Sequence, residues 1–150
     1  MFFSKKSKAK AKDFEKALKY LSKVAEICMD EEGKFSFQDA PVIGNYGHAL
    51  GMCGETEKGV SFSHFALKCK LEQEVPRYSS IQKSYQKLTE IFEHSGNEGR
   101  AQENEAMAKW SELRSEGRFL DEIDSVEFEK EVGISHEWAR QIEEDIINSK

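Results

Sequence analysis

The sequence predicts an all-α protein built of stacked antiparallel helical hairpins with a C-terminal helical cap. Apolar residues recur at helical spacing along most of the 150 residues, and only two prolines interrupt the chain. In addition, one pattern of large apolar residues, a glycine and two small residues occurs twice, 42 residues apart. Such a period is typical of stacked helical hairpins, because a single hairpin cannot bury its apolar face alone.

The repeated pattern is clearest in its second copy. That copy consists of Tyr85, Leu88, Phe92, Gly96, Ala101 and Ala108. The first copy consists of Ile43, Tyr46, Leu50, Gly54, Gly59 and Ala66, and its second half returns earlier as Ala17 and Val24. Small residues let two helices cross closely and large ones fill the gaps between hairpins, so each copy predicts one hairpin.

The helices are expected in a definite order. Asp13 is a good N-cap for a first helix over residues 13–30, and Phe35 and Phe37 in the following connection are expected to insert into the core. The later helices are predicted over 39–53, over 60–74, from Ser79 or Ser80 to 94, and over 101–116. Two short helices capped by Ser125 and Ser135 follow.

Glycines in the second helix form a face without side chains. Gly44, Gly47, Gly51 and Gly54 recur at spacings of three, four and three. Each glycine costs a helix about 1 kcal/mol relative to alanine. The pattern therefore predicts the close approach of another helix or of a bound segment, and a mobile loop is the alternative.

Charge divides the chain into two parts. Residues 1–23 carry a net charge of +6, whereas the remainder carries −12 and brings the total to −6. The lysines of residues 1–12 repel one another, which predicts a flexible basic arm ahead of a single helical-repeat domain over residues 13–150. An acidic body repels nucleic acid, so we expect no nucleic-acid partner. Three cysteines without close spacing indicate a cytoplasmic protein.

The hairpin unit Ile43–Ala66 and, more closely, Tyr85–Ala108 resemble the tetratricopeptide repeat. In that family, large apolar residues, a small residue and an aromatic residue precede a glycine-like turn and two further small residues, and both units follow this order. The period of 42 is longer than the common 34. The resemblance implies a groove, lined by the first helix of each hairpin, that binds a peptide or helix of another protein.

The positions that map to this groove come from both units. They are His48, Met52, Lys83, Gln86, Glu90, Glu93 and His94. Lys83 and Lys87 alone do not reproduce the basic cluster with which some family members bind a carboxylate. The sequence therefore predicts a non-catalytic adaptor, chaperone-like protein or immunity-type inhibitor that binds a basic partner and needs no cofactor.

Two other hypotheses rest on different residues. Phe2 and Phe3, followed by Lys5, Lys6, Lys8, Lys10 and Lys12, could attach a regulator to an anionic membrane surface. Two His-x4-Cys units could form a small metal-binding site or supply a Cys–His nucleophile pair; their residues are His48, Cys53, His64 and Cys69. Residues five apart on a helix diverge by about 140°, which does not favour such a site.

Overall fold

A computed structural model describes residues 5–149 of the protein, with side chains from residue 12 onward. This range forms seven α-helices and contains no β-strand, which confirms the all-α prediction. The helices are α1 (Lys5–Cys28), α2 (Ala40–Met52), α3 (Thr56–Leu71), α4 (Tyr78–Ser95), α5 (Glu98–Ser115), α6 (Ser125–Val132) and α7 (His136–Ile147). A 3₁₀ turn over Phe37–Asp39 precedes α2.

The helices pack as two antiparallel hairpins, α2–α3 and α4–α5, stacked side by side. Helix α1 packs against α2, and both α2 and α3 pack against α4. After the second hairpin, α6 contacts α5, and α7 contacts both α6 and α3 of the first hairpin. The largest fully buried side chains of the main core include Tyr85, Leu88, Met107 and Phe128. The predicted stacking of hairpins with a C-terminal helical cap is therefore confirmed.

Glycines bring α2 and α3 into backbone contact. A Cβ atom on Gly59 would lie 2.6 Å from Gly51 N and 2.7 Å from Gly47 O, and one on Gly47 would lie 2.8 Å from Gly59 O. Contacts this short do not occur for real Cβ atoms, so only glycine fits there. The close approach of another helix is confirmed for Gly47 and Gly51. Gly54 lies beyond the end of α2, with φ +97°, and forms the turn of the hairpin.

The second hairpin uses alanine where the first uses glycine or alanine. Ala101 and Ala108 of α5 are both buried and belong to the main core. Two polar contacts join α2 to α4, and each links residues that are 42 positions apart in the sequence. Lys87 Nζ donates to Asn45 Oδ1 at 2.7 Å, and His48 Nε2 lies 2.9 Å from Glu90 Oε2.

The start of α1 differs from the prediction. The helix begins at Lys5 rather than Asp13, so residues 5–12 are helical instead of part of an irregular arm. Lysine and alanine have high helix propensity, and these residue types dominate the segment. Residues 5–12 have no stripe of large apolar side chains, so apolar periodicity does not mark them as helical.

The segment before α2 and the N-cap of α6 also differ from the prediction. Phe35 packs against Phe62 as expected, with ring centroids 5.7 Å apart, but Phe37 is 50% exposed and does not insert into the core. Its place in a 3₁₀ turn directs it outward. Asp124 rather than Ser125 caps α6, because its carboxylate accepts from the backbone N–H groups of Val126 and Glu127.

A buried arginine attaches the C-terminal cap to the second hairpin. The guanidinium carbon of Arg114 lies 3.8 Å from the ring centroid of Trp110 and 4.5 Å from that of Tyr78. Its Nη1 donates to Glu143 Oε1 at 3.0 Å, which links α5 to α7. Both charged side chains are largely buried, so breaking the pair would leave a charge with little access to water.

Replacement of Gly59 by alanine tests the α2–α3 crossing. The added methyl group meets backbone atoms of α2, and we expect Gly59→Ala to lower the free energy of unfolding by about 2–3 kcal/mol. Gly99→Ala is the matched control: its Cβ has no neighbour closer than 3.8 Å, and the variant should gain about 0.5–1 kcal/mol. Urea denaturation measures both. Equal effects of the two substitutions would contradict the close crossing.

The role of Arg114 is tested by Arg114→Lys. Lysine keeps the charge but loses the planar stacking on two rings and the fixed geometry toward Glu143. We expect a loss of about 2–3 kcal/mol in the free energy of unfolding. In the control, Arg140→Lys alters an exposed pair with Glu144 and should cost less than about 0.5 kcal/mol. A loss for Arg114→Lys no greater than the control's would be the contrary result.

Candidate functional site

A groove of about 870 Å³ lies between α4, α5 and the turn that joins α6 to α7. We call it the C-terminal groove; Gln86 and Glu93 of α4, Ala106 of α5, and Ile134 and Trp138 define it. Helix α6 has only 8 residues, whereas α4 and α5 have 18 each. It is therefore about 12 Å long against about 27 Å for α4 or α5, and it cannot cover the full length of their outer face. The rest of the outer face of the second hairpin stays open.

The C-terminal groove is strongly acidic. Its charged residues are Glu93, Glu103, Glu105, Glu112 and Lys109. Lys109 pairs with Glu112 at 3.5 Å, and Glu103 lies 3.9 Å from Arg100. Glu93 and Glu105 are exposed and form no ion pair within residues 12–149. The groove therefore has excess negative charge that a cationic ligand would neutralise.

Apolar surface continues along the floor of the same groove. Ala106 and Ala108 are buried at its base, and Ile134 is partly exposed beside them. Trp138 lines the groove with 43% of its surface exposed, which is unusual for so large an apolar side chain. An apolar floor below an acidic rim is the surface that an amphipathic ligand needs.

A second groove, of about 900 Å³, lies against α3 and the segment before α2. We call it the aromatic groove, since Phe35, Phe37, Phe62 and Phe65 line it. The rings of Phe35 and Phe65 have centroids 6.3 Å apart, and His64 lies among them. Burial and the nearby charge of Arg100 lower the pKa of His64, so its neutral form is favoured in the folded protein.

The seven residues predicted to line a binding groove do not all meet in one place. Gln86 and Glu93 line the C-terminal groove. His48 and Glu90 contact each other between α2 and α4. Met52, Lys83 and His94 lie outside this groove. Helical periodicity correctly placed them on α2 and α4, but it could not show that much of the open groove belongs to α5 and to the α6–α7 turn.

The residues of the metal and nucleophile hypotheses do not converge. No group of three or more potential metal ligands forms among the residues whose side chains are described. His48 contacts Glu90, and His64 lies in the aromatic groove. Burial, together with Glu15, raises the pKa of the Cys53 thiol, and burial and Glu72 raise that of Cys69. Both thiols thus lack the lowered pKa that marks a reactive cysteine.

The membrane hypothesis concerns residues at the edge of what the structure describes. Phe2 and Phe3 lie outside the described residues, as do the side chains of Lys5, Lys6, Lys8 and Lys10. Lys12 is exposed on α1. None of the helices within residues 5–149 has both the length and the apolar composition needed to cross a bilayer.

Comparison with known proteins adds no relative: no family model, curated protein or solved structure matches this chain. The case for a function therefore rests on the grooves and on the residues that line them.

The lowered pKa of His64 predicts acid-sensitive stability. In the unfolded chain His64 titrates near 6.5, whereas in the folded state it stays neutral to lower pH. Below about pH 6.5 the unfolded state binds more protons, so the free energy of unfolding falls as the pH falls toward the folded-state pKa. We expect His64→Asn to reduce this loss between about pH 7 and pH 5, measured by urea denaturation. His94→Asn, at an exposed position, is the control; identical pH slopes for all three proteins would refute the effect.

Proposed function

We propose that this protein is a non-catalytic interaction module that binds a basic amphipathic helix or peptide of a partner protein in the C-terminal groove. The observation that carries the proposal is the combination of an exposed tryptophan, an apolar floor and a surplus of glutamates in one groove. The tryptophan and the apolar floor suit the apolar side of an amphipathic ligand, and the glutamates suit its basic side chains.

The shape of the groove favours a helical segment. In a stack of hairpins, the outer face of one hairpin is normally covered by the next helix. Here α6 covers only part of that face, so a helix supplied by a partner can occupy the remaining length. The apolar side of such a helix would lie over Ala106 and Ile134, with large side chains against Trp138. Binding of this kind places an apolar face into a groove and is common among helical proteins.

Charge favours a basic ligand over an acidic one. Glu93 and Glu105 lie on opposite helices of the groove and lack ion-pair partners among the described side chains. Lysine or arginine residues on the flanks of the bound helix could pair with them at the rim. Such exposed pairs contribute more to orientation and association rate than to affinity, whereas the buried apolar contacts supply most of the binding energy.

The resemblance of the two hairpins to tetratricopeptide repeats supports the same class of function, since that family binds peptides and helices. Adaptor, chaperone-like and immunity-type roles all follow from this class, and a cytoplasmic location suits them. The proposed groove differs from the one inferred from the sequence, because it adds α5 and the α6–α7 turn to the α4 positions Gln86 and Glu93.

Binding of designed peptides tests the proposal. Two fluorescent helical peptides share the same apolar face, and their other positions carry either lysine or glutamate. Fluorescence polarisation should show saturable binding of the lysine peptide, with at least about tenfold weaker binding of the glutamate peptide. The doubly substituted Glu93→Lys/Glu105→Lys protein should lose at least about tenfold in affinity, and Trp138→Ala should lose a similar amount.

Glu122→Lys provides a control, because it makes the charge change of one groove substitution at an exposed position between α5 and α6. It should leave the affinity for the lysine peptide nearly unchanged. Higher salt should weaken binding of the lysine peptide through screening at the rim. Equal binding of the two peptides, or equal affinities of the Glu122 and Glu93/Glu105 variants, would reject the C-terminal groove as the binding site.

A further inference from the structure

A second charged feature lies on a different face of α4 from the C-terminal groove. Two lysines, Lys70 of α3 and Lys87 of α4, line a narrow cleft between the start of α2, the second half of α3 and the middle of α4. The charge of Lys83, on α4, also acts on Lys70. We call this the lysine cleft; it is defined by Lys70, Lys87, Ser63 and Ser84.

No carboxylate lines the lysine cleft. An outer bowl of about 730 Å³ adjoins it, shares Lys70 with it and contains Arg77 and Ser80. None of the residues that line either space is acidic. This is unusual in a chain with 28 acidic and 22 basic residues. The carboxylate of Glu90 interacts electrostatically with Lys87, but Glu90 lies against His48 rather than in the cleft. Asp39, beside the start of α2, accepts a hydrogen bond from the Ser36 hydroxyl.

The lysines are held in place rather than free in solvent. Lys70 Nζ donates to Ser84 Oγ at 2.6 Å and to the Ser80 carbonyl at 3.2 Å, which leaves one of its three donors for a ligand. Lys87 Nζ donates to Asn45 Oδ1. Burial, followed by the charges of Lys87 and Lys83, lowers the pKa of Lys70 to about 8. Collecting these charges in a half-buried cleft is costly unless an anion offsets them.

A buried hydroxyl at the inner end has no partner. Ser63 is only 5% exposed, and its Oγ forms no hydrogen bond with any described residue. The inner cleft has room for about one water-sized atom, with a volume of about 20 Å³. A ligand oxygen there could accept from Ser63, while the rest of the ligand stays in the outer bowl near the lysines.

We propose that the lysine cleft binds a small tetrahedral oxyanion, a phosphate or a phosphate monoester. The ammonium groups of Lys70 and Lys87, which both line the cleft, match the charge of a phosphoryl dianion. The hydroxyls of Ser63 and Ser84 can donate hydrogen bonds to its oxygens. The outer bowl also contains Phe37 and Val75, so it can accept an apolar substituent on a monoester. This site is separate from the C-terminal groove and does not depend on the function proposed for it.

Titration of the full chain with inorganic phosphate tests the site. Calorimetry should show saturable binding, and NMR signals of the Lys70 and Lys87 side chains should shift with the same affinity. We expect Lys70→Met and Lys87→Met each to weaken phosphate binding at least about tenfold. Lys68→Met is the matched control, because Lys68 is on the same helix but donates to the Ser149 carbonyl and lies outside the cleft. It should bind phosphate like the unmodified protein.

Two further measurements separate binding from damage to the fold. Lys70→Arg keeps the charge and should retain phosphate affinity within about threefold. Phenyl phosphate should bind more tightly than phosphate if a monoester is the ligand, and no more tightly if free phosphate is. Either of these two results supports the oxyanion site. Absence of saturable binding, or an equal loss of affinity in Lys70→Met and Lys68→Met, would overturn it.

Discussion

Backbone contact between α2 and α3 is the constraint on which the rest of the structure depends. Gly47 of α2 and Gly59 of α3 leave no room for a Cβ atom where the two helices cross, and a Cβ atom on Gly51 would meet Ile91 of α4. The helices gain dispersion contacts along their backbones, which offsets the cost of glycine within a helix. A crossing this close also fixes the position of both helices relative to each other. Since α4 packs on both of them, the first hairpin determines the position of the second.

Stacking of hairpins then decides where the apolar surface is buried. Helix α4 lies between the first hairpin and α5, and its residues Ile81, Tyr85 and Leu88 are fully buried as a result. Two helices shorter than those of the hairpins, α6 and α7, follow the second hairpin. Arg114 and Glu143 hold α7 in place. The outer face of the second hairpin is therefore partly covered by the C-terminal helices, and the C-terminal groove is the part that stays open.

The two proposed sites both follow from this incomplete closure and from helix ends. The C-terminal groove is the part of α4 and α5 that α6 does not cover, and its glutamates remain on the surface because no described helix lies opposite them. The lysine cleft forms where the start of α2, the second half of α3 and the middle of α4 meet. Opposite charges thus accumulate at two separate places, which explains how an acidic protein can present both an acidic groove and a basic cleft.

Helical periodicity in the sequence determined the number, order and pairing of the helices from α2 to α5. The glycine spacing also predicted the close crossing, because only a residue without a side chain allows it. Residues such as Ser135 identified helix starts through their capping chemistry, and this is local information that a sequence contains.

Tertiary structure alone decided which faces remain open. Periodicity places His48 and Glu90 on one face of their helices, but it does not show that α2 and α4 bring them into contact with each other. Likewise, Lys70 is far in sequence from Lys83 and Lys87, and only the packing of α3 against α4 brings the three charges together. The exposure of a helix face depends on which element packs against it. For the outer face of α4 and α5, that element is determined by the length of α6 and by the path of the chain after α5.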